Sequence, residues 1–288
     1  MKRIILLLAT VALAWSAVAQ SADSLAFVSA RHRKLKLKGA EGYTLSVSLF
    51  DAAQTISVIK FSPEKFRIVP CQPENVMRTS EQGEMERAEF AINACFWAVT
   101  ISKPTCFLKR DGAVLSTSHP SGLPRVNGLL KMYDDHLEVV PSCKMPEYDG
   151  LVDDCNNIIA CGPVLIDDGA KVSYQTLIES TEPSLQRKIP FFIRRHPRSA
   201  VGCNAKGEIF LVVVDGRAEG RAEGVTIAEL TNICAWLGMT EALNLDGGGS
   251  STLWSRKYGV LNHPCDNKLF DNEGERRVSS TLVVKKRK

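Results

Sequence analysis

The sequence predicts an α+β fold of mixed β-sheets with packed helices, in which a late strand-helix-strand unit carries the functional site. Three observations predict it. Alternating or continuous apolar runs rich in β-branched residues recur along the chain and read as short strands. One clear amphipathic helical pattern occupies residues 226–237. Apolar strands flank that pattern on both sides, and they end at Asp215 and Asp246.

The elements follow in order. Met1-Lys2-Arg3, the apolar run 4–14 and the small-residue site Ala17-Val18-Ala19 have the form of a signal peptide. That run is too short for the ~20 residues a spanning helix needs, and no later run is long enough. The expected organisation is residues 1–19 as a signal peptide and 20–288 as a single domain, exported to the periplasm or beyond the cell. Lys alternates with Leu over 31–38. This fits an edge strand whose charges discourage further pairing better than it fits an anion-binding patch. Residues 43–51 and 55–61 read as strands joined by a tight turn, 80–88 as a short helix, and Phe90–Asn93 as a buried strand. Hairpin-like pieces continue to about residue 175, with turns at Asp111-Gly112 and Asp167-Asp168-Gly169.

The late unit is the most distinct. Ile209–Val214 is a continuous apolar strand ending at Asp215-Gly216. A helix starts at Thr226, carries Ile227, Leu230, Ile233 and Leu237 on one face, and stops at Gly238. Residues 242–245 form the next strand. A strand-helix-strand sequence implies a right-handed crossover with parallel pairing. Asp215 and Asp246 would then share the carboxyl-terminal edge of one sheet, where such sheets bind ligands.

Composition excludes several classes. With 44% hydrophobic and 24% charged residues, the chain is neither disordered, nor a coiled coil, nor an integral membrane protein. The formal charge of +4, lower still without Lys2 and Arg3, argues against nucleic acid as the main partner. Nine cysteines, an odd number, in an exported chain predict some disulfides and at least one free thiol. Cys155 and Cys161 are close enough in sequence to staple a loop. Cys234, inside the apolar helix, reads as a buried inert thiol. Neither a CxxC nor an HxxxH spacing supports zinc. The basic tail at 285–288 reads as a solvated terminus.

The strongest chemical signal is Asn244-Leu245-Asp246-Gly247-Gly248-Gly249-Ser250-Ser251-Thr252. Three consecutive glycines cost conformational entropy. They make sense where backbone passes very close to something, or where N–H groups curl around an anion. The acid before them and the hydroxyls after them favour a site over a plain hairpin turn, and the loop lacks the Lys of a Walker motif. Arg198 and Arg217 offer planar forks for phosphate or carboxylate. His196 precedes a proline in a loop, where an exposed histidine is the ordinary outcome. Asn93 ends its strand, a common turn position. Glu229 stands three residues after Thr226, a capping-box spacing that explains it structurally, while its place near the aspartate edge keeps a catalytic role open.

Together these motifs resemble the phosphodiester glycosidase family over about residues 43–285. Asn-Leu-Asp-Gly-Gly-Gly-Ser at 244–250 is the most specific match. Arg198-Ser199-Ala200-Val201-Gly202, Val214-Asp215-Gly216-Arg217 with Gly224-Val225-Thr226 and Glu229-Leu230, Asn262-His263-Pro264-Cys265-Asp266, and Arg276-Arg277-Val278-Ser279 extend it. The chain departs where the family reads Asn-Gly-Gly-Phe/Tyr-Phe, having Asn93-Ala94-Cys95-Phe96-Trp97, and Ala222 stands where bacterial members often carry serine. The resemblance implies cleavage of the C1–O bond of a sugar-1-phosphodiester, a phosphorylated glycan or a smaller molecule, to free sugar and phosphomonoester. It implies Asp246, Asp215 and Glu229 as the catalytic acids. Asn93, Arg198, Arg217, Gly247, Gly248, Gly249, Ser250 and Arg276 become the substrate-binding residues. No metal or other cofactor is required, although scattered aspartates could take Ca²⁺ or Mg²⁺. The rival functions are a non-catalytic binder of phosphorylated glycans and a metal-dependent phosphodiesterase breaking the P–O bond.

Overall fold

The computed structural model describes residues 21–118, 125–141 and 152–287. The expected signal peptide and Cys143 lie outside them. An early hairpin pairs Ala40–Leu49 with Ala52–Phe61 in antiparallel register from Ala40↔Phe61 to Leu49↔Ala52. Its two turn residues, Phe50 and Asp51, both have positive φ, +57° and +58°. This turn geometry has the twist that two paired strands need, and the Asp23 carboxylate steadies it by accepting from the Phe50 N–H at 3.1 Å.

That hairpin enters an eight-stranded sheet. Its spatial order is Arg33–Leu35, Ala40–Leu49, Ala52–Phe61, Ile209–Val214, Arg198–Cys203, Glu241–Asn244, Val164–Asp167 and Ala170–Lys171. All the neighbours pair antiparallel. The lysine-rich Arg33–Leu35 is an edge strand, as its alternation predicts. The expected parallel pairing is corrected. Ile209–Val214 and Glu241–Asn244 both pair antiparallel with Arg198–Cys203, which lies between them. The reason is local: Arg198–Cys203 closes a short hairpin with Ile209–Val214 through Asn204 and Gly207. It thus occupies the place that the strand after the helix would otherwise take. Both aspartates still leave the sheet at one edge, on either side of Arg198, since Arg198 pairs with Val214 and the Leu245 N–H bonds the Ser199 carbonyl at 2.8 Å.

The continuous apolar run of Ile209–Val214 follows from burial of both sheet faces. Ile209, Leu211 and Val213 face the main core, shared with Phe90, Leu129, Ile159 and Leu253 from two five-stranded sheets. Phe210, Val212 and Val214 face the second core beneath helix Ile227–Trp236, with Leu230 and Ile233. The early helix is Thr79–Met85, shorter than predicted. It stops where Arg87 turns left-handed at φ +51° and the Ala88 N–H caps the Gly83 carbonyl at 2.8 Å.

No disulfide joins the eight described cysteines, which are all free thiols. The expected Cys155–Cys161 staple is absent. The Cys155 thiol donates instead to the Met132 and Asn157 carbonyls, at 3.5 and 3.4 Å. Cys161 points at the Ala94 carbonyl, 3.9 Å away. Cys234 is buried in its helix as its sequence context predicts. Among the described residues no helix is long and apolar enough to cross a membrane.

Candidate active site

The site forms where strand Phe90–Asn93 meets the shared edge of the large sheet. Asn93 is fully buried, and its amide is committed to the protein. Its oxygen accepts from the Ser199 hydroxyl at 2.7 Å and the Thr252 N–H at 3.1 Å, and its nitrogen donates to the Asp246 carbonyl at 2.6 Å. Asn93 therefore holds other site elements in place. The Ala94 carbonyl accepts from the Asp246 N–H at 2.8 Å. The backbone of Asp246 is fixed on both sides, even with Ala94-Cys95 replacing the family's two glycines.

The Asp246 carboxyl lies at the head of the glycine loop, where Oδ1 accepts from the Gly247 N–H at 2.9 Å. Burial pushes its pKa up to about 6, and the Ser250 hydroxyl, the Gly247 N–H, Arg125 and Arg276 oppose the rise. A carboxyl tuned this way changes protonation close to neutrality, as a proton-transfer group requires. The Ser251 and Thr252 hydroxyls behind it are buried without a hydrogen-bond partner among the described residues.

Each glycine of the loop has its own steric reason. A Cβ on Gly247 would sit 2.7 Å from the Pro197 carbonyl. Gly248 is left-handed at φ +64°, and a Cβ there would lie 2.9 Å from Arg217 Nη2. On Gly249 it would lie 2.5 Å from Arg276 Nη2 and 2.7 Å from Asp266 Oδ1. The loop thus lets two guanidinium groups reach its backbone. Arg217 itself holds a left-handed φ of +63°, an unfavourable conformation of the kind that collects at functional sites. Arg276 is oriented by Asp266 through Nε at 3.0 Å and through Nη2.

The other predicted residues divide by what already occupies them. Arg198 is 1% exposed. Its Nε donates to the Val225 carbonyl at 3.0 Å, and its Nη2 donates to the Phe191 and Arg194 carbonyls at 2.7 and 3.0 Å. Burial, then repulsion from Arg217, lowers its pKa to about 10. The anion clamp expected at this position is turned mainly into the fold. Glu229 fulfils the capping box, accepting from the Thr226 N–H at 2.8 Å. It also pairs with Arg195 at 2.7 Å. Both oxygens are thus engaged at the helix start, by the Thr226 N–H and by Arg195. His196 is tied by backbone bonds to Val225. Burial, then the charges of Arg198 and Arg217, keeps its ring below the usual histidine range.

Asp215 is 1% exposed, and both of its oxygens are taken. Oδ1 accepts from the Asn262 amide at 3.0 Å and the His263 N–H at 2.9 Å, while Oδ2 meets His263 Nδ1 at 2.8 Å. The His263 ring stacks on Phe270 with centroids 4.0 Å apart. Sequence reasoning missed His263. The Asn262-His263-Pro264 match was a signal, but its link to Asp215 spans 48 residues. It also missed Arg125, which acts on Asp246 electrostatically while its guanidinium lies over the Phe96 ring at 4.6 Å. Among the described residues no group of three or more His, Cys, Asp or Glu side chains could hold a metal ion.

A family model described as phosphodiester glycosidase matches residues 86–285, a span that includes all of these side chains. The chain belongs to the phosphodiester glycosidase family. Bovine N-acetylglucosamine-1-phosphodiester alpha-N-acetylglucosaminidase is 42% identical over 89 residues, covering 30% of this chain and 16% of the bovine protein. The Bacillus subtilis SPbeta prophage-derived uncharacterized protein YomE is 31% identical over 127 residues, covering 42% of this chain and 18% of YomE. The chain thus spans less than a fifth of either curated relative. The zebrafish N-acetylglucosamine-1-phosphodiester alpha-N-acetylglucosaminidase catalytic domain, solved auto-inhibited by its pro-peptide, shares the fold. Its TM-score is 0.69 at 15% identity, over 90% of this chain and 87% of that one. A hypothetical protein from Synechocystis gives a TM-score of 0.68 at 15% identity, over 89% of this chain and 64% of that one. Phosphodiester glycosidases are hydrolases of sugar phosphodiesters, and the zebrafish catalytic domain shares the architecture of several sheets with few helices described above.

Proposed function

We propose that this phosphodiester glycosidase is an exported hydrolase cleaving the C1–O bond of a sugar-1-phosphodiester, an N-acetylglucosamine-1-phospho-sugar or a close analogue. The products are free sugar and a phosphomonoester. One observation carries the reading: the glycine loop headed by Asp246 packs its backbone directly against Arg217 and Arg276. This supports reading the loop as an anion cradle, beside a carboxyl whose pKa is raised to about 6. The bovine relative is named for this chemistry.

The division of labour follows from charge. Cleavage leaves negative charge on phosphate and positive charge on the sugar ring. The guanidinium groups of Arg217 and Arg276 meet the first, and pre-aimed donors of this kind contribute several kcal/mol. Ionised Asp246 meets the second and takes a proton from the attacking water. Arg125 and buried Arg198 add positive potential around the cleft. No step needs a metal.

Incubation of the purified protein with N-acetylglucosamine-1-phospho-6-mannose, with chromatographic identification of both products, tests the proposal. Free N-acetylglucosamine with mannose 6-phosphate is the expected outcome. Release of N-acetylglucosamine 1-phosphate would instead show P–O cleavage, and binding without products would show a glycan-binding protein.

A further inference from the structure

We propose that His263, oriented by Asp215, is the general acid that protonates the phosphate oxygen as it leaves the sugar. This rests on the glycosidase reading above and adds to it a proton donor distinct from Asp246.

Both oxygens of buried Asp215 are consumed by Asn262 and His263. The carboxylate therefore acts through the imidazole. It fixes Nδ1 as the inward nitrogen. Phe270 sets the ring plane by stacking on it. No described residue hydrogen-bonds Nε2, so that nitrogen is the one left for substrate. The ring is also in the right place. Its side chain is 26% exposed, and it lines a cavity of about 230 Å³ together with Arg217. Arg217 in turn reaches Gly248 of the loop. A phosphate held by Arg217 would have the glycine loop and Asp246 on one side and His263 on the other.

The chemistry matches. A phosphate oxygen leaving C1 gains negative charge, and a proton donor positioned beside it offsets that charge. As the C1–O bond breaks, its electron pair stays on the phosphate oxygen, which takes the Nε2 proton. Water forms the new bond to C1 and gives its proton to Asp246. His263 ends neutral, still donating from Nδ1 to Asp215, and solvent restores its proton. Asp215 and Asp271 face the imidazole with negative charge. Arg217, Glu219, Arg221 and Lys268 line the cavity with it, and Arg31 and Arg33 line a second cavity that it also borders.

The test compares the full chain with His263→Gln on the same phosphodiester over a range of pH, with His263→Ala assayed in added imidazole. An acid must be protonated to act, so the wild-type pH profile should carry a basic limb that depends on His263. His263→Gln should lose about 10²-fold in kcat and lose that basic limb, and imidazole should restore part of the His263→Ala activity. A variant within about 3-fold of wild type overturns the proposal. So does a large loss that leaves the basic limb in place without imidazole rescue, because the histidine would then only support the cavity. Failure of the wild type to release sugar at all would instead sink the glycosidase reading.

Discussion

The Asn93 side chain holds Asp246 through its main-chain carbonyl, at 2.6 Å, and leaves the carboxyl to the cleft. Position and reactivity of the acid are thereby separated. Bonds to its main chain from the Asn93 side chain and the Ala94 carbonyl set where it sits, while burial and the neighbouring arginines set its protonation.

Asp246→Asn should therefore abolish turnover without loss of fold. As a base, Asp246 works ionised, so wild-type kcat/KM should fall as pH drops below about 6. Stability should move the other way. A carboxyl whose folded pKa is raised supports the fold below its unfolded value, and that support is lost as pH rises through about 6. Removing the charge should stabilise the protein by about 1–3 kcal/mol at pH 7.5 and by little near pH 4. Thermal melts at the two pH values check this. Retained turnover in Asp246→Asn would remove the residue from the catalytic set.

The glycine loop gives a second prediction. An alanine at Gly249 must displace the Arg276–Asp266 pair, because its Cβ would fall within 2.7 Å of both partners. An alanine at Gly248 must hold φ +64° against Arg217, at a backbone cost of about 1–2 kcal/mol. Both variants should raise KM for a phosphodiester by about 10-fold or more, with little change in binding of the free sugar. Equal losses for both ligands, measured by steady-state kinetics and calorimetry, would argue against a phosphate cradle.

How much of this was legible follows from the range of the interactions. The apolar strand Ile209–Val214, the helix opening at Thr226 and the Asp246 loop were readable because period, cap and glycine cost are local. The antiparallel order was not readable, since it depends on Arg198–Cys203 folding back on Ile209–Val214. The acids could be found but their roles could not. Glu229 is decided by Arg195, 34 residues away in sequence, and Asp215 by His263. Without those partners all three carboxylates look alike.

Arg198 and Arg217 should separate on substitution. Arg198→Met removes the guanidinium from three backbone carbonyls, of which Val225 keeps the His196 N–H. An acceptor left without a partner costs about 1–3 kcal/mol before relaxation, so a loss of about 1–3 kcal/mol in stability is expected. Arg217 is exposed, with only the Cys265 thiol at 3.6 Å as a side-chain partner among the described residues. Arg217→Met should leave the melting temperature nearly unchanged and raise KM by about 10–100-fold. Denaturant titration beside kinetics distinguishes the two, and an unstable Arg217→Met with normal KM would reverse the assignment.

Cys265 offers a probe of the same chamber. It is half-buried, whereas the other seven described thiols are buried, and a buried thiol is shielded from small alkylating reagents. It lines the cavity with Arg217 and His263, and its sulfur accepts from Arg217 Nη1. A carboxamidomethyl group there would displace the guanidinium from the loop. Brief treatment of the native protein with iodoacetamide should modify Cys265 first among these eight and lower activity in step with its modification, as read by peptide mapping. A phosphodiester substrate should protect it, and Cys265→Ser should stay active and resist the reagent. Complete modification of Cys265 with unchanged turnover would place this cavity outside the path of the substrate.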